Sequence, residues 1–358
     1  MTGVWYAPGR INLIGEHTDY NGGLVLPFAL GSGVTVSAAR RDDRLLVLRS
    51  AQLPGVVTVP LDELSPGRIT GWAAYPAGVA GVLRAAGYPI AGATLSIDSD
   101  LPRGAGLSSS AALECATALA LTRLYGLRVP RTELARYAQQ AEHEYAGTPC
   151  GIMDQAASLL CTEGHALLMD CASGATEQVP LDLAGHVLLL VDTRSPHVLS
   201  DGGYARRRGE CEEAARLLGV SALSEVTEVP AALPDPVLRR RTDHVVTEND
   251  RVRRAIEFLR AGDAAGLGRV LTASHRSLRD LYEVSWPAAD VTVDTALDAG
   301  ALGGRMIGGG FGGSVLLLAT LDRADDVAGS VSGAYAARGL ATPVITRVSP
   351  GPGAYRRS

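Results

Sequence analysis

Short β-branched runs and helical patterns alternate through the first half of the chain. Residues 33–60 contain three β-branched runs separated by turn-forming residues, and these predict strands. Residues 70–87 and 132–147 each predict a helix from their apolar spacing. Residues 93–100 alternate apolar and polar positions and predict a half-exposed strand. This strand leads into residues 101–126, where a glycine-rich loop is followed at once by a long Ala/Leu helix.

The second half mixes helices with strongly apolar strands. Residues 186–193 predict a strand, and residues 203–218 and 263–281 predict helices. A further helix is indicated at residues 252–259, where apolar side chains have i, i+3, i+4, i+7 spacing. Residues 314–348 alternate strand, helix and strand, which is typical of an α+β unit with antiparallel strands.

A turn-rich passage near residues 170–185 separates these halves. At 358 residues the chain has room for about two domains of ordinary size. We therefore predict one domain over residues 1–185 and a second over residues 186–358.

Composition excludes several classes of function. The net charge of −5 gives no basic footprint for nucleic acid, and the longest apolar runs are too short to span a membrane. The five cysteines lack metal or redox spacing and are expected to be reduced thiols, and the N-terminal residues do not resemble a signal peptide. These features predict a cytoplasmic protein. All 33 basic residues are arginine, so no catalytic role can fall to lysine.

The loop "LPRGAGLSSSAA", residues 101–112, carries the strongest chemical signal. Gly104 and Gly106 let backbone N–H groups approach a ligand, and the following helix directs its positive end at the loop. The segment lacks the Gly-Lys-Ser/Thr of a Walker A loop. A serine helix cap after a flexible turn is the alternative interpretation, although one serine would be enough for capping.

Two carboxylates follow on the next helical segments. Asp154 has apolar or small neighbours, which suits either a buried catalytic carboxylate or a helix cap. Glu142 lies beside an apolar helical stripe, where it could reach inward to a metal ion or remain solvated. The residues alone leave both alternatives open.

The segment "GRINLIGEHTDYNGG", residues 9–23, interleaves both charge signs with apolar residues. Glu16, His17 and Asp19 offer several hydrogen-bonding groups on one turn, as a polyhydroxylated ligand such as a sugar requires. Arg10 could be a simple ion-pair partner. The glycine-dense stretch at residues 303–318 predicts unusual backbone angles or a close approach, with a bulge or a hinge as the alternative.

Taken in order, these segments resemble the GHMP small-molecule kinases, and within them the branch that phosphorylates galactose. Residues 9–23 resemble the sugar signature of that branch. Residues 101–112 resemble the phosphate-binding motif of the family, and "GGGFGG" resembles its third motif. The segments "AEHEYAGTPCGIMDQ", "YARRRGECEEA", "HVVTEN" and "SHRSLRDLYEVS" agree as well. The resemblance implies an α+β fold with two lobes around the active site, the first like ribosomal protein S5 domain 2 and the second ferredoxin-like.

The resemblance also implies an activity, which is transfer of the γ-phosphoryl group of ATP to O1 of α-D-galactose with Mg²⁺. Asp154 would act as general base beside Arg10, and Ser109 and Glu142 would hold the metal. The residues expected to bind the sugar are Glu16, His17, Asp19, Gly151, Asp154 and Tyr204. Those expected to bind the phosphates are Gly104, Ala105, Gly106, Leu107, Ser108, Ser109 and Ser110. We expect small-molecule substrates only, no nucleic-acid or membrane partner, and a monomer.

Two departures from the family pattern carry expectations. Only six residues precede the Ala-Pro-Gly-Arg segment, which could cost stability or adenine contacts. Ile307 stands where the third motif usually has threonine, from which we expect a quantitative effect on sugar binding or rate. 

Other functions stay open beside this one. A sibling kinase would act on N-acetylgalactosamine, arabinose or a galacturonate. A non-catalytic sensor would bind galactose and ATP without turnover, but such proteins lack part of the serine-alanine segment that this chain keeps at residues 108–112.

Overall fold

A six-stranded sheet forms the first lobe. The computed structural model describes residues 2–102, 104–195, 202–228 and 233–357. The sheet order is β13-β1-β3-β6-β4-β5, antiparallel except for the β4–β6 pair. Its strands are β1 Thr2–Asn12, β3 Pro27–Arg41, β4 Leu45–Ser50, β5 Val56–Pro60, β6 Gly92–Ser99 and β13 Tyr355–Arg357.

Helix α2 is the central helix of this lobe. It packs on β1 and β3, and twelve of its sixteen residues are buried, most of them small or apolar. Three further helices surround it, and a small sheet of order β2-β7-β8 completes the lobe. These elements are α1 Ala74–Ala85, α2 Ser109–Leu124, α3 Arg131–Glu144, α4 Met153–Leu160, β2 Leu24–Val25, β7 His165–Asp170 and β8 Thr176–Pro180.

The second lobe is an antiparallel sheet of order β10-β11-β9-β12 with helices inserted between its strands. Helices α5 to α8 connect β9 to β10, and α9 connects β11 to β12, which is the β-α-β-β-α-β sequence of ferredoxin-like folds. The elements are β9 His186–Asp192, α5 Gly203–Leu218, α6 Pro236–Ala261, α7 Ala264–Asp280, α8 Pro287–Asp298, β10 Gly303–Met306, β11 Ser314–Thr320, α9 Ala324–Ala337 and β12 Val344–Val348.

The two lobes share their interior. Leu188 and Leu316 of the second sheet belong to the same apolar cluster as Leu26 and Phe28 of the first lobe. Strand β13, at the end of the chain, returns to pair with β1. The division at residue 185 stays a prediction.

Other features of the model agree with the composition. All five cysteines are free thiols. Within the described ranges, none of the helices combines the length and apolar character needed to cross a bilayer.

Candidate active site

A cavity of about 390 Å³ lies where the glycine-rich loop, the start of α4 and the N-terminal signature meet. Most of the residues predicted for the site line it, although Gly104, Ala105, Leu107, Ser109 and Ser110 do not. The predicted residues that do line it are Arg10, Glu16, His17, Asp19, Gly106, Ser108, Glu142, Gly151, Asp154 and Tyr204.

Arg10 and Asp154 form a bidentate ion pair at one end of the cavity. Arg10 Nε and Nη2 donate to the two Asp154 carboxylate oxygens at 2.8 and 3.1 Å, and Nη1 donates to the Gly106 carbonyl at 2.7 Å. Arg10 is 5% exposed, whereas the Asp154 side chain is 24% exposed. Burial alone would lower the pKa of Arg10, but Asp154 and Glu16 raise it above its usual value, so the guanidinium stays charged.

The glycine-rich loop has the backbone of an anion-binding nest. Gly104, Gly106 and Ser108 have φ values of 73°, 74° and 57° and alternate with residues outside the left-handed region. Such alternation points successive N–H groups toward one concavity. Two hydrogen bonds fix the carbonyl groups of the loop. The Ser314 hydroxyl donates to the Ala105 carbonyl at 2.8 Å, and Arg10 N donates to the Leu107 carbonyl at 3.2 Å.

Ser108 decides between the two interpretations of the serine run. It occupies the residue before α2, yet its side chain makes no capping hydrogen bond. Its hydroxyl instead donates to Asp154 Oδ2 at 2.5 Å. A non-glycine residue in the left-handed region carries backbone strain. At Ser108 this strained conformation accompanies the contact between the hydroxyl and the Asp154 carboxylate. Asp154 likewise does not cap α4, since its carboxylate faces Arg10 and Ser108.

Glu142 points inward from α3, as expected of a metal-binding carboxylate and not of a solvated one. It is 5% exposed, and its Oε2 accepts from Gln155 Nε2 at 2.6 Å. Burial raises its pKa, while a hydrogen bond from Ser110 acts in the opposite direction. The structure therefore brings Ser110 to Glu142, whereas Ser109 is exposed at the first residue of α2.

Glu16 ties the N-terminal signature to the third motif. Its carboxylate accepts from Gly308 N at 2.7 Å and from Asn12 Nδ2 at 3.0 Å. Arg305 lies 3.6 Å away and is fully buried. Burial raises the pKa of Glu16, and Arg305 and Arg10 counteract that rise.

His17 stands in the left-handed region, with φ of 62°, at the opposite wall. Its Nδ1 is 2.8 Å from the Tyr20 hydroxyl, and its Nε2 is buried with no hydrogen-bond partner among the described residues. The ring packs on Tyr282 and Tyr204, with centroids 4.7 and 5.6 Å away. Burial lowers the pKa of His17 to about 3, with His244 and Arg207 adding to the effect, so the ring is neutral at physiological pH.

Asp19 and Gly151 meet between these two ends. A Cβ added at Gly151 would lie 1.7 Å from Asp19 Oδ2, so only glycine fits there. Burial, followed by repulsion from Asp154, raises the pKa of Asp19 to about 7.

Sequence reasoning assigned no role to several buried polar residues behind the site. Glu248 Oε1 accepts from Gly15 N at 3.0 Å, and Asn249 Oδ1 accepts from Leu24 N at 2.8 Å. Both anchor the N-terminal signature from α6. Their signal was present in the sequence, because they share the apolar helical face of Val245 and Val252, where polar residues need a reason to be.

Family models match three parts of the chain. The model of the GHMP kinases N terminal domain covers residues 74–162, and that of the GHMP kinases C terminal covers residues 255–337. A model of the galactokinase galactose-binding signature covers residues 1–40. The fold, the nest-forming loop and these matches define a small-molecule kinase of the GHMP class.

Similar proteins of known function indicate which branch of the GHMP kinases this chain belongs to. The galactokinase of Streptomyces coelicolor is 48% identical, over 99% of this chain and 94% of that protein. The galactokinase of Mycobacterium tuberculosis H37Rv is 44% identical, over 99% of each chain. The crystal structure of Lactococcus lactis galactokinase complexed with galactose superposes with a TM-score of 0.95 at 35% identity, over 99% of this chain and 95% of that one. The chain belongs to the galactokinase family, whose members phosphorylate galactose with ATP.

The two-lobed fold expected from the sequence is thereby confirmed. Mevalonate kinase of Methanococcus jannaschii, at 18% identity and a TM-score of 0.72 over 98% of each chain, shares this fold. The roles of individual site residues stay predictions.

Proposed function

We propose that the cavity is where this chain transfers the γ-phosphoryl group of ATP to O1 of α-D-galactose. One observation carries the proposal. The Arg10–Asp154–Ser108 cluster lines the same cavity as Gly106 of the glycine-rich loop and as Glu16, His17 and Asp19 of the N-terminal signature. A carboxylate in that position has a phosphate site and a sugar site within the same cavity.

Asp154 is the proposed general base. Arg10 binds it in bidentate fashion and places a positive charge beside it. Among the described residues, Oδ2 accepts from both Arg10 and Ser108, whereas Oδ1 accepts only from Arg10. Since each carboxylate oxygen can accept about two hydrogen bonds, Oδ1 retains room for the O1 hydroxyl of the sugar. We therefore assign proton acceptance to Oδ1.

Positioning and charge supply the rest of the catalysis, as is general for phosphoryl transfer. The chain has no lysine, so positive charge at the transferring group would come from Arg10, from the N–H groups of residues 104–110 and from a bound metal ion. Glu16, His17, Asp19, Gly151 and Tyr204 form the proposed sugar wall.

The residues present fit a Mg²⁺ ion. Mg²⁺ is usually held by one or two carboxylates together with substrate phosphates, and Glu142 offers a carboxylate beside serine hydroxyls at the mouth of the nest. Glu142 with Ser109 or Ser110 would hold it. When bound, the ion would neutralise charge on the phosphates.

We also propose that the protein is a cytoplasmic monomer.

The test is ADP release by purified protein with Mg-ATP and a panel of sugars. Turnover on galactose with little on glucose is the expected result. Turnover only on N-acetylgalactosamine, arabinose or galacturonate would reassign the substrate. Galactose binding without turnover would point to a sensor, and absence of both would refute the proposal.

A further inference from the structure

A line of hydrogen bonds runs from His17 at the cavity wall into the second lobe. His17 Nδ1 lies 2.8 Å from the Tyr20 hydroxyl, which lies 2.7 Å from the Tyr282 hydroxyl. The Tyr282 hydroxyl is in turn 3.0 Å from Cys211 Sγ. We call these four side chains the His17 relay. None of the catalytic roles described above uses Tyr20, Tyr282 or Cys211.

His17, Tyr282 and Cys211 are buried, whereas Tyr20 is half-buried and lines the cavity. Tyr282 is fully buried and Cys211 is 1% exposed. The backbone of Tyr282 is held on both sides, because its N–H donates to the Ser277 carbonyl at 2.9 Å and its carbonyl accepts from Arg207 Nε at 2.6 Å. Solvent therefore does not decide the direction of the hydrogen bond between Tyr282 and Cys211, at the inner end of the relay.

The number of protons decides that direction. Tyr20, Tyr282 and Cys211 each carry one proton, and a neutral imidazole nitrogen is the best acceptor in the line. If Cys211 donates to Tyr282, Tyr282 to Tyr20 and Tyr20 to His17 Nδ1, every proton has an acceptor. In the reverse direction Tyr282 would donate to sulfur, a weak acceptor, and the buried thiol proton would have to turn out of the relay, toward Asn21.

We propose that the relay fixes His17 as the neutral tautomer with its proton on Nε2, and so makes it a hydrogen-bond donor to the substrate. Among the described residues Nε2 has no hydrogen-bond partner of acceptable geometry, although the Gly309 backbone, which raises the pKa of His17, lies near the ring. His17 also lines the cavity. A donor there binds an oxygen of a sugar hydroxyl and leaves that hydroxyl's own proton for a carboxylate. Tyr20 and Tyr282 are positioning residues in this scheme. The consequence for the sugar rests on the proposed function, whereas the tautomer does not.

The tautomer can be measured without any substrate. In ¹⁵N-histidine-labelled protein, the His17 resonances, assigned by their loss in His17→Gln, should show a protonated Nε2 and an unprotonated Nδ1. Tyr20→Phe should turn this into a mixture of tautomers. A protonated Nδ1 in the unmodified protein, or an unchanged tautomer in Tyr20→Phe, would overturn the proposal.

Kinetics test the consequence for the sugar. Removing one such hydrogen bond is worth about 1 kcal/mol, or about a five- to tenfold rise in KM for galactose. Tyr20→Phe should show this rise with kcat and KM for ATP nearly unchanged, and Tyr282→Phe should show a smaller one. Tyr335→Phe is the matched control, since this buried tyrosine bonds Thr292 and Ala288 outside the relay and should leave KM unchanged.

The two readouts separate this inference from the proposed function. The expected tautomer, together with unchanged galactose affinity in both Tyr20→Phe and His17→Gln, would uphold the relay and remove His17 from the sugar site. A raised KM with the tautomer unchanged would overturn the relay and leave the sugar site in place.

Discussion

The two ends of the cavity draw on the same fifteen-residue signature but solve opposite electrostatic problems. At one end, Arg10 and Asp154 are charged and paired through two hydrogen bonds. At the other end, His17 is neutral, packed between tyrosines and joined to a line of hydroxyls. Both Arg10 and His17 are buried, so burial alone does not explain the difference.

Intrinsic basicity and the partner together explain it, because the ordinary pKa is 12.5 for a guanidinium and 6.5 for an imidazole. A charge in the interior is tolerated when a counter-charge and good geometry compensate for its lost hydration, and otherwise the group neutralises. Arg10 has Asp154, whereas His17 has two uncharged neighbours, the Tyr20 hydroxyl and the Gly309 backbone, and is repelled by His244 and Arg207. The charged end suits a transferring phosphoryl group, and the neutral end suits sugar hydroxyls.

Removing the carboxylate should have the largest effect. We expect Asp154→Asn to lower kcat by about 10³-fold, within the range typical of general-base removal, while galactose still binds. Stopped-time ADP assays and equilibrium galactose titration measure the two quantities. Asp43→Asn is a matched control, because Asp43 pairs with Arg41 on the surface and should not affect turnover. Turnover of Asp154→Asn close to that of the unmodified protein would remove Asp154 from the role of base.

A milder change should separate the sugar wall from the charged end. In Gly151→Ala the new Cβ would collide with Asp19, so the carboxylate must move. We expect KM for galactose to rise about tenfold, the loss of about one hydrogen bond to a charged group, with a smaller change in kcat. Gly209→Ala, where a Cβ meets nothing within 4 Å, is the control. An unchanged KM would mean that Asp19 does not contact the sugar.

Most of the site residues expected from the sequence line the cavity, because the motifs carry local chemistry, and their roles stay predictions. Ser108, Asp154 and Glu142 each had a bland alternative, and the structure decided against it only through contacts distant in sequence, such as Arg10 with Asp154. Local patterns specify residue types and turns, but they do not specify which partner arrives from another element. The His17 relay was missed for this reason, since Tyr20 and Tyr282 are 262 residues apart.

Elements were missed where the local signal was weak. Helix α8, residues 287–298, has a low proportion of strong helix formers and two β-branched valines. It forms because it packs on α9 and on strands β10 and β11 of the second sheet. Strand β8, Thr176–Pro180, lies in the passage interpreted as turns, and it forms by pairing with β7. In both cases tertiary contacts outweigh propensity.

Asp19 lies between the charged and neutral ends, and its titration should show which it resembles. Its pKa is about 7 in the folded protein, above the ordinary 3.8, so between pH 4 and pH 7 the folded chain binds more protons at this site than the unfolded chain. The free energy of unfolding should therefore fall as the pH rises through this window.

Comparison with Asp19→Asn isolates this contribution. His17, with its pKa lowered to about 3, contributes the opposite slope up to its ordinary value of 6.5 and is present in both proteins. We expect the free energy of unfolding, measured by urea unfolding from pH 4.5 to 7.5, to change with pH with a more positive slope for Asp19→Asn than for the unmodified chain. Equal slopes would show that Asp19 is ionised throughout, like the charged end.

The smallest effect on activity should come from Ile307, although it lies in a motif of the site. Its side chain is 1% exposed and belongs to the shared apolar core, while only the neighbouring Gly308 and Gly309 line the cavity. Ile307→Thr would bury a hydroxyl and lose apolar contacts, so we expect a loss of about 1–3 kcal/mol in the free energy of unfolding. KM and kcat should change less than about twofold, because an energy difference of about 0.4 kcal/mol or less reaches the site. Val315→Thr, at a fully buried position away from the cavity lining, is the control for the buried hydroxyl. Altered kinetics with unchanged stability would restore the expectation drawn from the sequence, that position 307 acts on the sugar or the rate directly.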